Sequence, residues 1–219
     1  MRLKMKSVIA IGFGVMMMAS IAAATTVCAN NLGADVTTFN SVGGCTVSTF
    51  TFNNFAVGLA GGSGTPLVQL AGVDNPGTFG TGLDFNPNLG GGHTVTDIHF
   101  LFEVTSSGGT IGNAFLFNGG IGGGGIGERI CDASGVNLNG QCVGSQLGSM
   151  NAPSGQSISV SFDGGTSIWV WKDISINDPA VDHNSSVVQE FNAVPEPASL
   201  SLMGLGLLGL GFIRRKVRK

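Results

Sequence analysis

The sequence predicts an all-β protein, and three observations support that class. Apolar residues alternate with polar ones in several short segments, which is the pattern of half-buried strands. Glycine accounts for 37 of the 219 residues, and each glycine inside a helix would cost about 1 kcal/mol relative to alanine. No segment of the central region has helical periodicity. We therefore predict an antiparallel β-sandwich, for which a jelly roll is one candidate topology.

The clearest strand covers Asp97–Val104, where apolar and mostly polar side chains alternate. Its apolar face holds Ile98, Phe100, Phe102 and Val104, and its opposite face holds Asp97, His99, Leu101 and Glu103. Seven further segments have the composition of strands: Thr46–Phe55, Pro66–Val73, Gly77–Phe85, Thr110–Phe117, Ser157–Phe162, Ser167–Ile176 and Ser186–Phe191. Glycine, asparagine, aspartate and proline separate these segments, which favours tight turns between them.

The N-terminal segment, residues 1–24, has the three parts of a secretory signal peptide. Three basic residues come first, an apolar run that is short for a membrane span follows, and Ala22-Ala23-Ala24 ends it. We expect a signal helix that directs export through the Sec machinery and is cut off after Ala24. A cut after Ala29 and an uncleaved anchor are the alternatives.

The C-terminal segment, residues 194–219, begins with the motif Val194, Pro195, Glu196 and Pro197. A short run of leucines and glycines follows, and it predicts a short transmembrane helix. The chain then ends in a basic stop-transfer cluster of Arg214, Arg215, Lys216, Arg218 and Lys219. Because basic residues stay on the cytoplasmic side, this arrangement places the body outside the inner membrane and the tail inside.

The proline-glutamate-proline motif, the short apolar run and the basic end closely resemble the PEP-CTERM sorting signal of Gram-negative bacteria. The resemblance implies recognition by an exosortase, a membrane-embedded cysteine transpeptidase that cuts near the motif. Pro195, Glu196 and Pro197 would then be substrate residues. A plain C-terminal anchor is the alternative. The body also resembles the glycine-rich exported proteins that carry this signal, and that resemblance implies no site.

The two termini hide the charge of the body, residues 25–193, which we predict to be one sandwich domain. The formal net charge of the chain is -3, but the body contains only Arg129 and Lys172 against all of the 13 acidic residues except Glu196. Such an acidic body excludes a nucleic-acid binder that relies on a basic field. It favours divalent cations or a hydrated matrix as partners.

The four cysteines all lie in the predicted exported body. Proximity in the sequence favours the disulfides Cys28–Cys45 and Cys131–Cys142 among the three pairings that four cysteines allow. A metal site is the alternative, although spacings of 17 and 11 residues fit no common zinc pattern.

Trp169 and Trp171 lie two residues apart on one predicted strand, so their side chains share a face. If that face is exposed, the two indole rings could stack on the sugars of an exopolysaccharide. The alternative is that both rings pack in the core or at an edge. The pair is our candidate glycan contact.

Evidence for catalysis or for a cofactor is weak. The sequence has no G-x-S-x-G nucleophile motif, and no two of His93, His99 and His183 have the spacing of a local metal site. The glycine run 119–127 contains G-x-G-x-x-G, but no helix pattern follows it, so we expect a loop between strands. We predict no metal and no cofactor, with calcium in the acidic segments 84–88 or 173–182 as the alternative.

These observations favour a non-enzymatic protein of the cell envelope or extracellular matrix with a structural or interaction role. A carbohydrate-binding module of the exopolysaccharide matrix is the second hypothesis, and a secreted hydrolase is the third.

Overall fold

The computed structural model describes residues 26–28, 34–75, 80–90, 94–184 and 186–194. The predicted signal peptide, the residues Pro195–Lys219 and His93 lie outside these ranges. Among the described helical residues, none forms a segment with the length and apolar character of a membrane span.

The described residues are almost entirely β-structure. The strands are β1 (Thr26–Val27), β2 (Ala34–Asp35), β3 (Cys45–Val47), β4 (Phe50–Gly62), β5 (Gln69–Asn75), β6 (Gly80–Asn86), β7 (Leu89–Gly90), β8 (Val95–Ser106), β9 (Thr110–Asn118), β10 (Gly124–Cys131), β11 (Gln146–Pro153), β12 (Ser157–Ser161), β13 (Ser167–Ile176), β14 (His183–Asn184) and β15 (Val187–Val194). One six-residue helix, α1, covers Val36–Ser41. The sequence analysis missed this helix, which is too short to show a periodic pattern.

Two large sheets form a sandwich. The first sheet has seven strands in the order β1-β3-β4-β8-β13-β10-β11, and the second has six in the order β12-β9-β15-β6-β5-β2. The pairing is antiparallel except between β1 and β3. A two-stranded ribbon of β14 and β7 lies beside them. The predicted all-β, antiparallel sandwich class is thus confirmed for the described part of the chain.

Phenylalanine rings from the two sheets meet in the core. Phe85 of the six-stranded sheet lies 5.3 Å from Phe100 and 6.1 Å from Phe102 of the seven-stranded sheet, measured between ring centroids. Phe191 lies 6.2 Å from Phe52 in the same way. Each fully buried ring contributes about 1.5–3 kcal/mol, so this layer holds the two sheets face to face.

Each of the eight predicted strands overlaps a strand of the structure, but one prediction merges two. The segment Thr46–Phe55 contains a turn, because β3 ends at Val47 and β4 begins at Phe50. Ser48 adopts a left-handed conformation there, with φ of 54°. The turn residues Ser48 and Thr49 have strand-like neighbours on both sides, which concealed the turn in the sequence.

The glycine run is only partly the loop that we expected. Gly124–Gly127 begin β10, which pairs with β11 on one side and β13 on the other. Glycine disfavours strands, but here two neighbouring strands supply the backbone partners. The inward residues Ile126, Glu128 and Ile130 then alternate with outward ones along the strand. Neither β10 nor β11 was predicted.

Both expected disulfides are present, with Cα atoms 4.9 Å apart in Cys28–Cys45 and 5.5 Å apart in Cys131–Cys142. The second one lies in the connection between β10 and β11, residues 132–145, which we call the flap. The flap folds back over the outer face of the seven-stranded sheet, where Val136 packs with Leu101, Cys131 and Trp171 in a small second core.

We predict that Cys131→Ser/Cys142→Ser lowers the free energy of unfolding by about 3 kcal/mol, since it opens a short closed loop. The same change loosens the cover over Trp171, so tryptophan emission of the folded protein should shift to longer wavelength. Cys28→Ser/Cys45→Ser is the matched control, and it should destabilise without this shift. An unchanged emission spectrum in the first variant would contradict the covering role of the flap.

Candidate functional site

The outer face of the seven-stranded sheet carries most of the side chains with functional chemistry. Residues that pair across antiparallel strands share a face, and the register places His99 beside Asp173, Leu101 beside Trp171, and Glu103 beside Trp169. The apolar residues that alternate with them point into the core. Burial of one side of β8 and β13 therefore determines which residues the other side presents.

A groove of about 460 Å³ lies at one end of this face. Its walls come from α1, the turn after it, β4 and β13: Asn40, Gly43, Asn53, Asn54, Phe55 and Trp169. Trp169 is half-buried, so part of its ring is accessible from the groove. We call this the Trp169 groove.

Hydrogen bonds hold the walls of the Trp169 groove in place. The Asn40 amide group donates to the Phe55 carbonyl oxygen at 2.6 Å and accepts from the Phe55 amide at 2.9 Å, which fixes α1 against β4. β4 has a bulge between Asn53 and Ala56, and Asn54 adopts φ of 53° within it. Bulges redirect side chains, and this one brings two consecutive asparagines to the groove.

Some polar groups of the Trp169 groove have hydrogen-bond partners within the protein, and others do not. Asn54 Nδ2 donates to Glu103 Oε2, and Ser167 Oγ donates to Glu103 Oε1, both at 2.8 Å. Asn53 Oδ1 has no hydrogen-bond partner among the described residues. An indole face can stack on the apolar face of a ring, and the exposed Asn54 side chain beside it can hydrogen-bond to a hydroxyl group, whereas Asn53 Oδ1 is buried.

Trp171 occupies a different environment, because the flap covers it. The side chain is 7% exposed, and its Nε1 donates to the Leu138 carbonyl oxygen at 2.9 Å. The Arg129 guanidinium lies 5.6 Å from the ring centroid and donates to the Gly140 carbonyl oxygen at 2.7 Å. A Cβ atom at Gly140 would lie 2.8 Å from the ring, so only glycine fits. The tryptophans share a face as predicted, but they do not form one open surface.

Asp97, His99 and Asp173 form a second cluster on the same face, and their ligand atoms lie within 4.8 Å of one another. Asp97 and His99 come from β8, and Asp173 comes from β13. One imidazole nitrogen and two carboxylate oxygens are a donor set that suits zinc and related divalent ions. These three residues could hold such an ion.

The Asp173 carboxyl disfavours the charged form of Asp97. Partial burial and the neighbouring Asp173 carboxyl raise the pKa of Asp97 to about 6, and His99 acts in the opposite direction. Asp97 Oδ1 and Asp173 Oδ1 are buried and have no hydrogen-bond partner in the described part of the chain.

Glycines surround the cluster and leave space beside it. In the register, Gly58 of β4 lies next to His99, and Gly127 of β10 lies next to Asp173. A second groove of about 460 Å³ runs from Asp173 along Gly124, Gly125, Gly127 and Asn151. The cluster therefore borders an open groove through Asp173.

Sequence reasoning missed this cluster because Asp173 lies far from β8 along the chain. The alternation of Asp97 and His99 on one strand face was the available signal. His183 lies elsewhere, in a bridge with Ile121. The carboxylates of the expected calcium segments take part in local bonds: Asp84 accepts from Ser186 at 3.1 Å, and Asp182 accepts from the Asp178 amide at 2.8 Å. Calcium binding there stays a prediction.

Comparison with known proteins identifies the C-terminal segment. Residues 193–216 match the PEP-CTERM protein-sorting motif, so the chain carries this sorting signal. The motif marks an exported protein that is anchored in the membrane before an exosortase processes it. No curated protein sequence matches the chain.

Two solved structures share a similar arrangement of strands at low identity. One is TmCBM61 in complex with beta-1,4-galactotriose, with a TM-score of 0.37 and 13% identity over 64% of this chain and 89% of that chain. The other is the enzymatically active domain of bacteriophage CBA120 tailspike protein 4, with a TM-score of 0.33 and 12% identity. The match covers 66% of this chain and 20% of the tailspike chain. At these TM-scores neither structure assigns a function to the chain.

We predict that Asp97→Asn removes a pH dependence of stability. Because the pKa of Asp97 is raised in the folded state, wild-type stability should fall as the pH rises from about 4 to above about 6. In the presence of a chelator, the variant should therefore have a higher Tm than the wild type at about pH 7.5 and a similar Tm at about pH 4.

The matched control is Asp163→Asn, which removes an exposed aspartate outside the cluster. It should leave the difference in Tm between the two pH values as in the wild type. A Tm of Asp97→Asn that stays below the wild type at both pH values would show that the Asp97 carboxylate is stabilising instead.

Proposed function

We propose that this protein is a non-enzymatic component of the cell envelope or extracellular matrix, with a structural or interaction role. The PEP-CTERM motif is the observation that carries the proposal, since it directs an exported body to the cell surface. The acidic, disulfide-bonded body is suited to an oxidising, hydrated environment outside the inner membrane.

The connection between body and motif supports this role. β15 lies between β9 and β6 in the six-stranded sheet and pairs as far as Val194, opposite Thr110. Pro195 follows immediately in the sequence. A folded body therefore stands next to the membrane without a spacer, and a cut at the motif releases it with its last strand already held on both sides.

The order of events that we propose follows from the two ends of the chain. The signal peptide directs the chain through the Sec machinery and is removed after Ala24. The C-terminal segment then holds the body at the inner membrane, with Arg214–Lys219 on the cytoplasmic side, until the exosortase cuts near Pro195–Pro197.

We predict that the mature protein purified from its native host lacks Arg214–Lys219, as measured by intact mass. Glu196→Ala should keep the tail attached and the protein in the membrane fraction, because the exosortase no longer recognises the motif. Ser201→Ala, which lies in the tail beyond Val194–Pro197, should be processed as in the wild type. A wild-type mature chain that retains Arg214–Lys219 would refute processing.

Polysaccharide binding is the second candidate function, and the Trp169 groove is the observation that favours it. The groove combines an accessible indole face with the amide groups of Asn53 and Asn54, which is the chemistry that recognises a sugar ring. The glycan contact that we predicted for both tryptophans would then rest on Trp169, because the flap covers Trp171.

We predict that Trp169→Ala weakens binding of the body to its native exopolysaccharide about tenfold, which corresponds to about 1.4 kcal/mol of lost stacking. A pull-down with the purified polysaccharide measures this. Val143→Ala is the control, since it truncates an apolar side chain that is 72% exposed on the flap and does not line the groove. If wild-type protein does not bind the native polysaccharide, the carbohydrate-binding hypothesis fails.

A further inference from the structure

Lys172 lies in the hydrophobic core, where lysine is rarely found. It is the only lysine in residues 25–193, it lies on the inward face of β13, and its side chain is 0% exposed. The Phe85 ring centroid lies 5.5 Å from its Nζ atom. At this position the amine has no contact with water. Lys172 belongs neither to the Trp169 groove nor to the Asp97 cluster.

Two polar side chains face the Lys172 amine from different sheets. Lys172 Nζ donates to Glu128 Oε2 of the neighbouring strand β10, and the Glu128 side chain is also 0% exposed. Lys172 Nζ also donates to Gln189 Oε1 of β15 in the opposite sheet, at 2.5 Å. Gln189 is 0% exposed as well. The three side chains thus form a closed amine, carboxyl and carboxamide group at the centre of the sandwich.

If Lys172 and Glu128 formed a simple ion pair, some polar atoms of the three side chains would have no hydrogen-bond partner. Glu128 Oε1 and Gln189 Nε2 are buried without a partner among the described residues. Each unpaired buried polar atom lowers stability, because folding removes its hydrogen bonds to water and puts nothing in their place. An ion pair that left these two atoms without partners would stabilise the core less than apolar residues of the same size.

The surroundings favour a neutral amine. Burial lowers the pKa of Lys172 and raises the pKa of Glu128, with each partner acting against the shift of the other. Transfer of one proton from the amine to the carboxylate leaves an NH₂ group beside a carboxylic acid. A buried neutral lysine is a nucleophile, and a carboxylic acid can donate a hydrogen bond to a carbonyl oxygen.

We propose that Lys172 and Gln189 join in an intramolecular isopeptide bond, with Glu128 as the proton carrier. Lys172 Nζ forms a bond to Gln189 Cδ, and the bond from Cδ to Nε2 breaks. Glu128 takes the proton that Nζ loses and delivers it to Nε2, which leaves as ammonia. No oxidant or further reactant enters, and Glu128 ends the reaction in its starting state.

The bond would connect the two sheets through their interiors. β13 lies between β8 and β10 in one sheet, and β15 lies between β9 and β6 in the other. β15 also leads directly into the sorting motif. The new amide bond would therefore transmit a force applied at that end of β15 to the other sheet. The two disulfides do not connect these strands.

The mass of the exported wild-type protein, after reduction of its disulfides, tests the proposal. We expect it to be about 17 Da below the mass calculated from the sequence of the mature chain, for the loss of ammonia. An unreacted mass would overturn the proposal. A loss of about 18 Da would also contradict it, because loss of water would place the amide on Glu128.

Trypsin locates the bond, because Arg129 and Lys172 are the only cleavage sites in residues 25–193. In denatured wild-type protein we expect cleavage after Arg129 and none after Lys172, whose amine would be acylated. Cleavage after Arg129 shows that the digest works. Complete cleavage after Lys172 would overturn the proposal even if the mass were about 17 Da low, since that loss would then lie at another residue.

Two variants separate the roles of the partners. Gln189→Leu removes the acyl group and should restore cleavage after Lys172 and abolish the mass loss. Glu128→Gln keeps the volume but removes the proton carrier, so it should leave Lys172 unreacted. Full reaction of Glu128→Gln would refute the role of Glu128. Near-ultraviolet circular dichroism monitors folding, and the wild-type mass decides the matter if either variant fails to fold.

Discussion

The burial of phenylalanine rings between the two sheets is the interaction on which the rest of the structure depends. Phe52, Phe100 and Phe102 from one sheet meet Phe85 and Phe191 from the other. Because side chains alternate along a strand, this choice of inward residues also fixes the outward ones, and a slip of one residue would exchange the two faces. Asp97, His99 and Glu103 of β8 and Asp173 of β13 lie on the outer face for this reason.

Loops and glycines determine which side chains of the outer face are accessible, as much as the strands do. The flap removes Trp171 from solvent, and the bulge in β4 brings asparagines to the groove that Trp169 lines. Glycines beside His99 and Asp173 leave the cluster open. Two separate sites thus lie on one sheet, an aromatic and amide groove and a carboxylate and imidazole cluster.

The body is secured at several points before its sorting signal begins. The disulfides tie the first residues and the flap to the seven-stranded sheet, while Lys172 meets Gln189 between the two sheets. Such a body can remain folded when the adjacent C-terminal segment is cut, because its last strand is held by β9 and β6. These constraints suit a protein that works outside the cell.

The sequence by itself determined the β-sandwich class, the sorting motif, the disulfide pairs and the alternation of β8, because each depends on nearby residues. It did not reveal the glycine-rich strand β10, which forms because its neighbours β11 and β13 supply its backbone partners. It also did not reveal β11, whose residues do not alternate regularly between buried and exposed. Only the tertiary structure decided that Trp171 is covered and Trp169 is not, that Asp173 joins Asp97 and His99, and that Lys172 meets Gln189. The physical reason is that these contacts join strands distant in the chain, and no local pattern records strand order.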